Sequence, residues 1–267
     1  LECASVGEVE HALRCGASPE TIVFDSPAKS ELDIQRGLKL GIMMNADNLD
    51  ELRRIQRIRD AQGGSKSVIG VRINPLVGDG KIAHLSVSGQ RSKFGVPITD
   101  ENRRLVIQAF VEDAGLTALH CHVGSQGCSL EMLASGAAVI VELADQIDKA
   151  TGRSQVTSLD IGGGLPVNFG DDRVSPSFSE YAGVLKRMVP SLWNSSRRIV
   201  TEFGRGVFAK VGWFASSVEY VKQAGDHKCA IIHAGSDLFV RECYVPADFP
   251  HRVAAFAKGG GSLGKYG

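Results

Sequence analysis

Apolar residues along this chain recur in two rhythms that take turns. After a stub at 2–5, short β-like runs lie at 22–27, 41–47, 68–75, 116–125, 156–164 and 198–205 and have the length of strands. Between them, apolar positions fall three and four residues apart. Leu49, Leu52, Ile55 and Ile58 follow Asp47 at helical spacing, while Arg53, Arg54 and Arg57 turn towards the opposite, wet side. Helices are also predicted over 99–113, 130–150 and 178–188. The first helix opens on a capping box, Ser5 with Glu8, and stops at Gly16.

Strand and helix patterns that alternate in this way specify βα units on a parallel sheet. Seven strand ends with an outer ring of helices predict an α/β fold, a (β/α)8 TIM-like barrel lacking its first strand. Within 68–74, Ile69, Val71 and Ile73 share one face, and Gly70, Arg72 and Asn74 share the other. The same parity separates Leu119, Cys121 and Val123 from Ala118, His120, His122 and Gly124. One face meets helices; the other looks into something polar near the C-terminal strand ends, where such barrels build their sites. After Arg205 the rhythm changes, and 211–222 and 228–244 alternate like strands of a β-rich C-terminal domain. From Ala254 onwards, with Gly259-Gly260-Gly261-Ser262, too little apolar surface is present to predict order. The expected organisation is therefore a barrel over 1–209, part of a β domain over 210–256 and a tail or linker over 257–267.

Composition narrows the function classes. With 43% hydrophobic and 22% charged residues among 267, the chain has the balance of a globular protein. Thirty basic residues match thirty acidic ones without clustering, so no nucleic-acid footprint is expected. No apolar run approaches the ~20 residues that span a bilayer, and the N-terminal residues lack signal-peptide features, so a cytoplasmic protein without a membrane partner is expected. The six cysteines form no CxxC pair and are expected to be reduced.

Three segments carry chemistry, all at strand ends. In Asp160-Ile161-Gly162-Gly163-Gly164-Leu165-Pro166 the glycines let the backbone approach an anion and aim N–H groups at it, although a tight βα turn explains them equally well. Glu202-Phe203-Gly204-Arg205-Gly206 sets a guanidinium between glycines, suited to a phosphate, where an ordinary Glu/Arg surface pair is the alternative. His120-Cys121-His122-Val123-Gly124-Ser125-Gln126 projects both imidazoles the same way. Two such rings suggest a metal site, but no third donor with a supporting carboxylate is identifiable nearby, and no metal is expected. His120 reads as a satisfied core histidine, and His122 as a site residue.

In this order and at these strand ends, the motifs resemble the fold-type III, pyridoxal-phosphate-dependent amino-acid decarboxylases, the diaminopimelate and ornithine decarboxylase family. The resemblance runs from Glu2-Cys3-Ala4-Ser5 with Glu8, through Ser92-Lys93-Phe94-Gly95, His122-Val123-Gly124-Ser125, Asp160 to Gly164 and Glu202 to Arg205, into Ala234-Gly235. It implies pyridoxal 5'-phosphate as cofactor, with His122 stacked on its ring. Ser125, Gly162, Gly163, Gly164 and Arg205, with Gly204, would serve its phosphate. Glu202 would face the pyridine nitrogen and keep it protonated, so that the ring accepts the electron pair left by the departing carboxylate. His122 and Glu202 are thereby the catalytic residues implied. The resemblance further implies a small amino-acid substrate, a place in amino-acid metabolism such as lysine biosynthesis, and a homodimer with sites shared across a two-fold axis.

Departures from the pattern matter too. Family members carry the cofactor on a lysine from a strand preceding the segment that matches Leu1, and neither that segment nor the later Cys-containing and glycine-alanine-tyrosine motifs is found here. Glu2 stands where Asp is usual, and Phe203 where Pro is usual. The chain alone is therefore expected to be inactive, either as a fragment of an active enzyme or as a catalytically dead relative that regulates by binding. Gln126 and the Ser92 to Gly95 run tilt the substrate towards diaminopimelate rather than ornithine or arginine.

Overall fold

The computed structural model describes residues 1–78, 88–247 and 251–266. They form two compact units, Leu1–Pro166 with Pro176–Gly206, and Val167–Ser175 with Val207–Gly267.

The first unit alternates strands and helices as the two rhythms require. In chain order these are β1 (Glu2–Cys3), α1 (Val6–Arg14), β2 (Val23–Phe24), α2 (Glu31–Leu40), β3 (Met43–Ala46), α3 (Leu49–Ala61) and β4 (Ile69–Asn74). Then follow β5 (Val96–Pro97), α4 (Asp100–Glu112), β6 (Leu116–Cys121), α5 (Leu130–Thr151), β7 (Ser158–Asp160), α6 (Phe178–Met188), β8 (Arg198–Val200) and the short α7 (Gly204–Phe208). The sheet runs β1-β2-β3-β4-β6-β7-β8, all parallel, with β5 attached to β4. All seven expected strands are present. Those expected at 116–125, 156–164 and 198–205 stop at Cys121, Asp160 and Val200, and the residues beyond them become loops.

Two helix starts differ from expectation in an instructive way. At α1 the Ser5 hydroxyl accepts from the Glu8 N–H, but the Glu8 carboxylate reaches one residue further back, to the Ala4 N–H at 2.6 Å. The reciprocal box occurs instead at α2, a helix the apolar pattern did not reveal, where Ser30 and Asp33 cap each other and Gly41 ends the helix in the left-handed region. Its buried face is only Ile34, Gly37 and Leu38, too narrow a stripe to stand out among charged neighbours.

The two strand faces build two different interiors. Outward residues such as Phe24, Met44, Ile69, Val71, Ile73 and Leu119 join Ile34, Leu52, Ile55, Phe110 and Ile140 from the helices in one continuous core. Each such buried side chain contributes about 1.5–3 kcal/mol. Inward residues form a second, small cluster of Val23, Met43 and Ala118 with Val68 and Val200. That cluster floors the site.

In the second unit β9 (Val218–Ala224) and β10 (His227–Ile232) form an antiparallel hairpin. The segment expected to continue as strand to 244 instead forms a short helix, α8 (Val240–Tyr244), after a turn in which Leu238 and Phe239 donate to the Gly235 carbonyl. The glycine-rich stretch expected to be a tail is the turn of a hairpin between β11 (Val253–Phe256) and β12 (Ser262–Tyr266). Backbone pairing there, with Ala257 donating to Gly261 at 2.7 Å, orders a segment that has little apolar surface to bury. Among the described residues no helix is long and apolar enough to cross a membrane.

Candidate functional site at the strand ends

Two residues beyond the apolar floor, each inward strand face turns polar. Val23 is followed by Asp25, Met43 by Asn45, Ala118 by His120, Ser158 by Asp160 and Val200 by Glu202, while β4 contributes Arg72. Sheet register sets Arg72 beside His120 and His120 beside Asp160. All of these side chains are buried, and charges in such a place persist only when paired.

Their pairing is specific. Arg72 Nη1 meets Asp25 Oδ2 at 3.0 Å, and His120 Nδ1 meets Asp25 Oδ1 at 3.2 Å. On the other side of the same ring, His120 Nε2 lies 3.7 Å from Glu202 Oε1, and Glu202 Oε2 lies 3.0 Å from His122 Nδ1. Asp25, His120, Glu202 and His122 thus form an alternating acid–base row running up to the half-buried His122, whose side chain is 24% exposed. The third donor that the sequence did not reveal beside the two histidines is Glu202, contributed from 80 residues beyond His122, with donor atoms of all three within 4.8 Å. His120, expected to be a satisfied core histidine, is buried as expected but stands at the centre of the row with neither ring nitrogen hydrogen-bonded among the described residues.

The row fixes its own charges. Burial opposes ionisation of Asp25, but the His120, Arg72 and Lys29 charges outweigh it and hold the carboxyl below its ordinary range. Burial likewise opposes Glu202, and the His120 charge with the His122 hydrogen bond again wins. For His120, burial disfavours the imidazolium, yet Asp25, Glu202 and Asp160 together push its pKa up to about 9. Asp160 is the loser: burial and the Glu202 charge push it up to about 7 in spite of His120. Its Oδ1 accepts the Gly162 N–H at 3.0 Å, and its Oδ2 has no hydrogen-bond partner among the described residues.

The loops above are tied to this row. Arg72 stacks over Phe94 at 4.8 Å, and the Gly95 N–H donates to Asp47 at 3.0 Å, so Ser92-Lys93-Phe94-Gly95 is pinned from below. Glu51, in the first turn of α3, accepts from the Asp47 N–H and pairs with Lys29 Nζ at 3.2 Å. Lys29, the one buried lysine among the described residues, also donates to the Ser26 and Asn45 carbonyls, so its amine is fully engaged.

The glycine trio behaves differently from the expectation that its N–H groups face an anion. A Cβ at Gly162, Gly163 or Gly164 would stand on the carbonyl oxygen of Cys121, Glu202 or Gly124 respectively, so side chains are excluded by neighbouring backbone. Gly162 donates to Asp160, whereas the Gly163 nitrogen lies 3.4 Å from His122 Nδ1, an atom whose proton goes to Glu202, and the Gly164 N–H has no partner among the described residues. Nearby, Arg205 Nη2 donates to Ser125 Oγ at 2.8 Å across 80 residues of sequence. The Gly204 N–H turns back to the Glu202 carbonyl, and a Cβ on Gly204 would meet open space.

His122, Ser125, Gly162 to Gly164, Glu202, Gly204 and Arg205 therefore converge, whereas the sequence reading assigned no role to Asp25, Arg72 or Asp160. Strand parity was the signal available for Arg72. Asp25 ends a strand of only two residues, too short for parity to show.

The family described as pyridoxal-dependent decarboxylase, pyridoxal binding domain, matches residues 1–209. Diaminopimelate decarboxylase of Helicobacter pylori is 29% identical over 262 residues, covering 97% of this chain and 62% of that protein. That of Bacteroides thetaiotaomicron is 30% identical over 247 residues, covering 90% and 62%. Among solved structures, the Helicobacter pylori diaminopimelate decarboxylase complexed with L-lysine, in a single-substitution form, superposes with a TM-score of 0.81 at 26% identity, over 96% of this chain and 63% of that one. The chain spans about three fifths of the length of the relatives it matches. It belongs to the pyridoxal-dependent decarboxylase family and carries that family's pyridoxal-binding domain.

Proposed function

We propose that the site binds pyridoxal 5'-phosphate and serves the decarboxylation of an amino acid, with diaminopimelate the favoured substrate. The residues present fit the cofactor. Glu202 is a buried carboxylate held ionised, the charge a pyridine nitrogen needs opposite it to keep its proton. His122 offers a half-exposed ring beside it, and Arg205 with Ser125, hydrogen-bonded to each other, and the Gly164 N–H supply groups able to donate to a phosphate. That the same two segments, 122–125 and 202–205, are joined by both a His122–Glu202 and an Arg205–Ser125 pair is the observation that carries the reading.

When bound, pyridoxal phosphate supplies an electron sink for the pair left behind as carbon dioxide departs. Glu202 would hold the proton of the cofactor's ring nitrogen, His122 would shield the ring from water, and Arg205 with Ser125 would bind and orient its phosphate. The relatives named for diaminopimelate, together with Gln126 and Ser92 to Gly95, favour that substrate over ornithine or arginine. The reading includes a homodimer in the cytoplasm acting in lysine biosynthesis, and six unpaired thiols are compatible with that compartment.

Titrating the chain with pyridoxal phosphate, followed by equilibrium dialysis and cofactor absorbance, tests the binding. Carbon dioxide release from meso-diaminopimelate, ornithine, arginine and lysine by the full-length protein tests the chemistry. Saturable binding abolished by Arg205→Ala, and release from diaminopimelate above the other three, are expected. Binding unaffected by Arg205→Ala would overturn the site.

A further inference from the structure

His120 is the one group in this site that faces acids on both ring nitrogens, and the ligand chemistry proposed above gives it no task. It is fully buried, so it touches neither solvent nor a bound ligand. Its ring stands edge-on to that of His122, with centroids 6.4 Å apart and planes at 80°. Neither nitrogen makes a well-aligned hydrogen bond, so Asp25 and Glu202 hold the ring by charge across 3.2 and 3.7 Å. Asp25 is braced in turn by Arg72, which is anchored under Phe94.

We propose that His120 is the positioning residue of this site: clamped between Asp25 and Glu202, it draws Glu202 Oε1 into the interior and so presents Oε2 to His122 and to the space above. The inference rests on the cofactor reading for its purpose, though not for its geometry. Glu202 follows a strand end and, among the described residues, is ion-paired with His120 and His122. A carboxylate held by His122 alone would follow that half-exposed ring whenever it moved. Held from beneath as well, it keeps one orientation. An uncharged residue at 120 would also leave Asp25 and Glu202 as buried acids with one fewer cation between them, and the cost would appear as protonation of Glu202.

The charge on His120 supports the clamp. It is faced by Asp25 from the end of β2, Arg72 from β4, Asp160 from β7, Glu202 after β8 and Glu2 from β1, with His122 on its own segment. The acids outweigh Arg72 and hold the imidazolium to about pH 9.

Imidazole nitrogen resonances of the ligand-free, histidine-labelled chain test this without any cofactor. Wild type is expected to show one ring doubly protonated up to about pH 9, identified by its disappearance in His120→Gln. In the same variant, the His122 resonances should move as Glu202 loses its lower hold. Asp25→Asn, which removes the other jaw, should lower the pH at which His120 deprotonates and move His122 in the same direction. His120 neutral at pH 7 in the folded chain, or His122 unmoved in both variants while circular dichroism stays native, would overturn the clamp. If neither variant folds, the wild-type titration decides alone. Pyridoxal phosphate is added in a separate arm. Its failure to bind wild type would count against the cofactor reading and would leave the ring measurement standing. In the full-length protein, with binding retained, His120→Gln should lower turnover about 10- to 100-fold, the size typical of losing a group that orients another, and weaken cofactor affinity far less.

Discussion

Two adjacent levels of the barrel interior are built by the same strands and differ completely. Val23, Met43, Ala118 and Val200, with Val68, make an apolar floor; two residues on, Asp25, Asn45, His120 and Glu202, with Asp160 and Arg72, make a charged level. The floor is stable by itself, since burying it removes apolar surface from water. The upper level gains nothing from burial and holds together only as a set, because each charge is tolerable only beside its opposite. Stability and chemistry are thus separated by one strand repeat, about 6–7 Å.

The comparison can be broken most forcefully at Glu202. Glu202→Gln keeps the shape and removes the charge, and turnover of the full-length protein should fall by about 10²–10³-fold with cofactor affinity little changed. Equal losses in both would mean that Glu202 binds rather than acts. One level down the effect should be on folding. Met43→Ala empties part of the floor and should cost about 2–5 kcal/mol in urea denaturation, without altering the ring resonances of His122. Arg205→Lys keeps the charge but loses the planar fork, so cofactor affinity should drop about tenfold, measured by dialysis, while melting stays unchanged.

The smallest effect is the pH dependence of stability, and its sign distinguishes the two levels. Asp160 and His120 both have folded pKa values above their ordinary ones, about 7 and about 9. The folded state therefore holds more protons, and their stabilising contribution is complete below the unfolded values and lost as pH rises through the folded ones. Asp25 and Glu202 are shifted down and lose theirs on strong acidification. Melting temperature should be highest at about pH 4–5 and fall towards pH 10. Asp160→Asn should raise it at pH 8 by about 2–4 °C, since the buried carboxyl no longer has to ionise. A flat profile from pH 6 to 10, shared by wild type and variant, would show that the upper level carries no net strain.

Much of this was legible in the chain. Strand count, the barrel class, five of the helices and the residues from His122 to Arg205 follow from rhythm and motif, because periodicity and turn chemistry are local. What the motifs could not convey was which groups satisfy one another. The Gly162 to Gly164 trio reads as an anion cradle, but the Gly162 N–H serves Asp160, and the trio's lack of side chains makes room for neighbouring carbonyls. Likewise Gly259 to Gly261 reads as a linker and is a hairpin turn, since strand pairing across it is invisible to composition.

From its residues alone, then, this protein's alternation of strands and helices was determined, together with the polarity of the two longest strand faces and the motif residues at 122–126, 160–166 and 202–206. Tertiary structure alone decided that His120 lies between Asp25 and Glu202, and which carboxylates stay charged as a result. Charge state depends on distances between side chains that three separate strands bring together, and no local pattern in the chain encodes those distances.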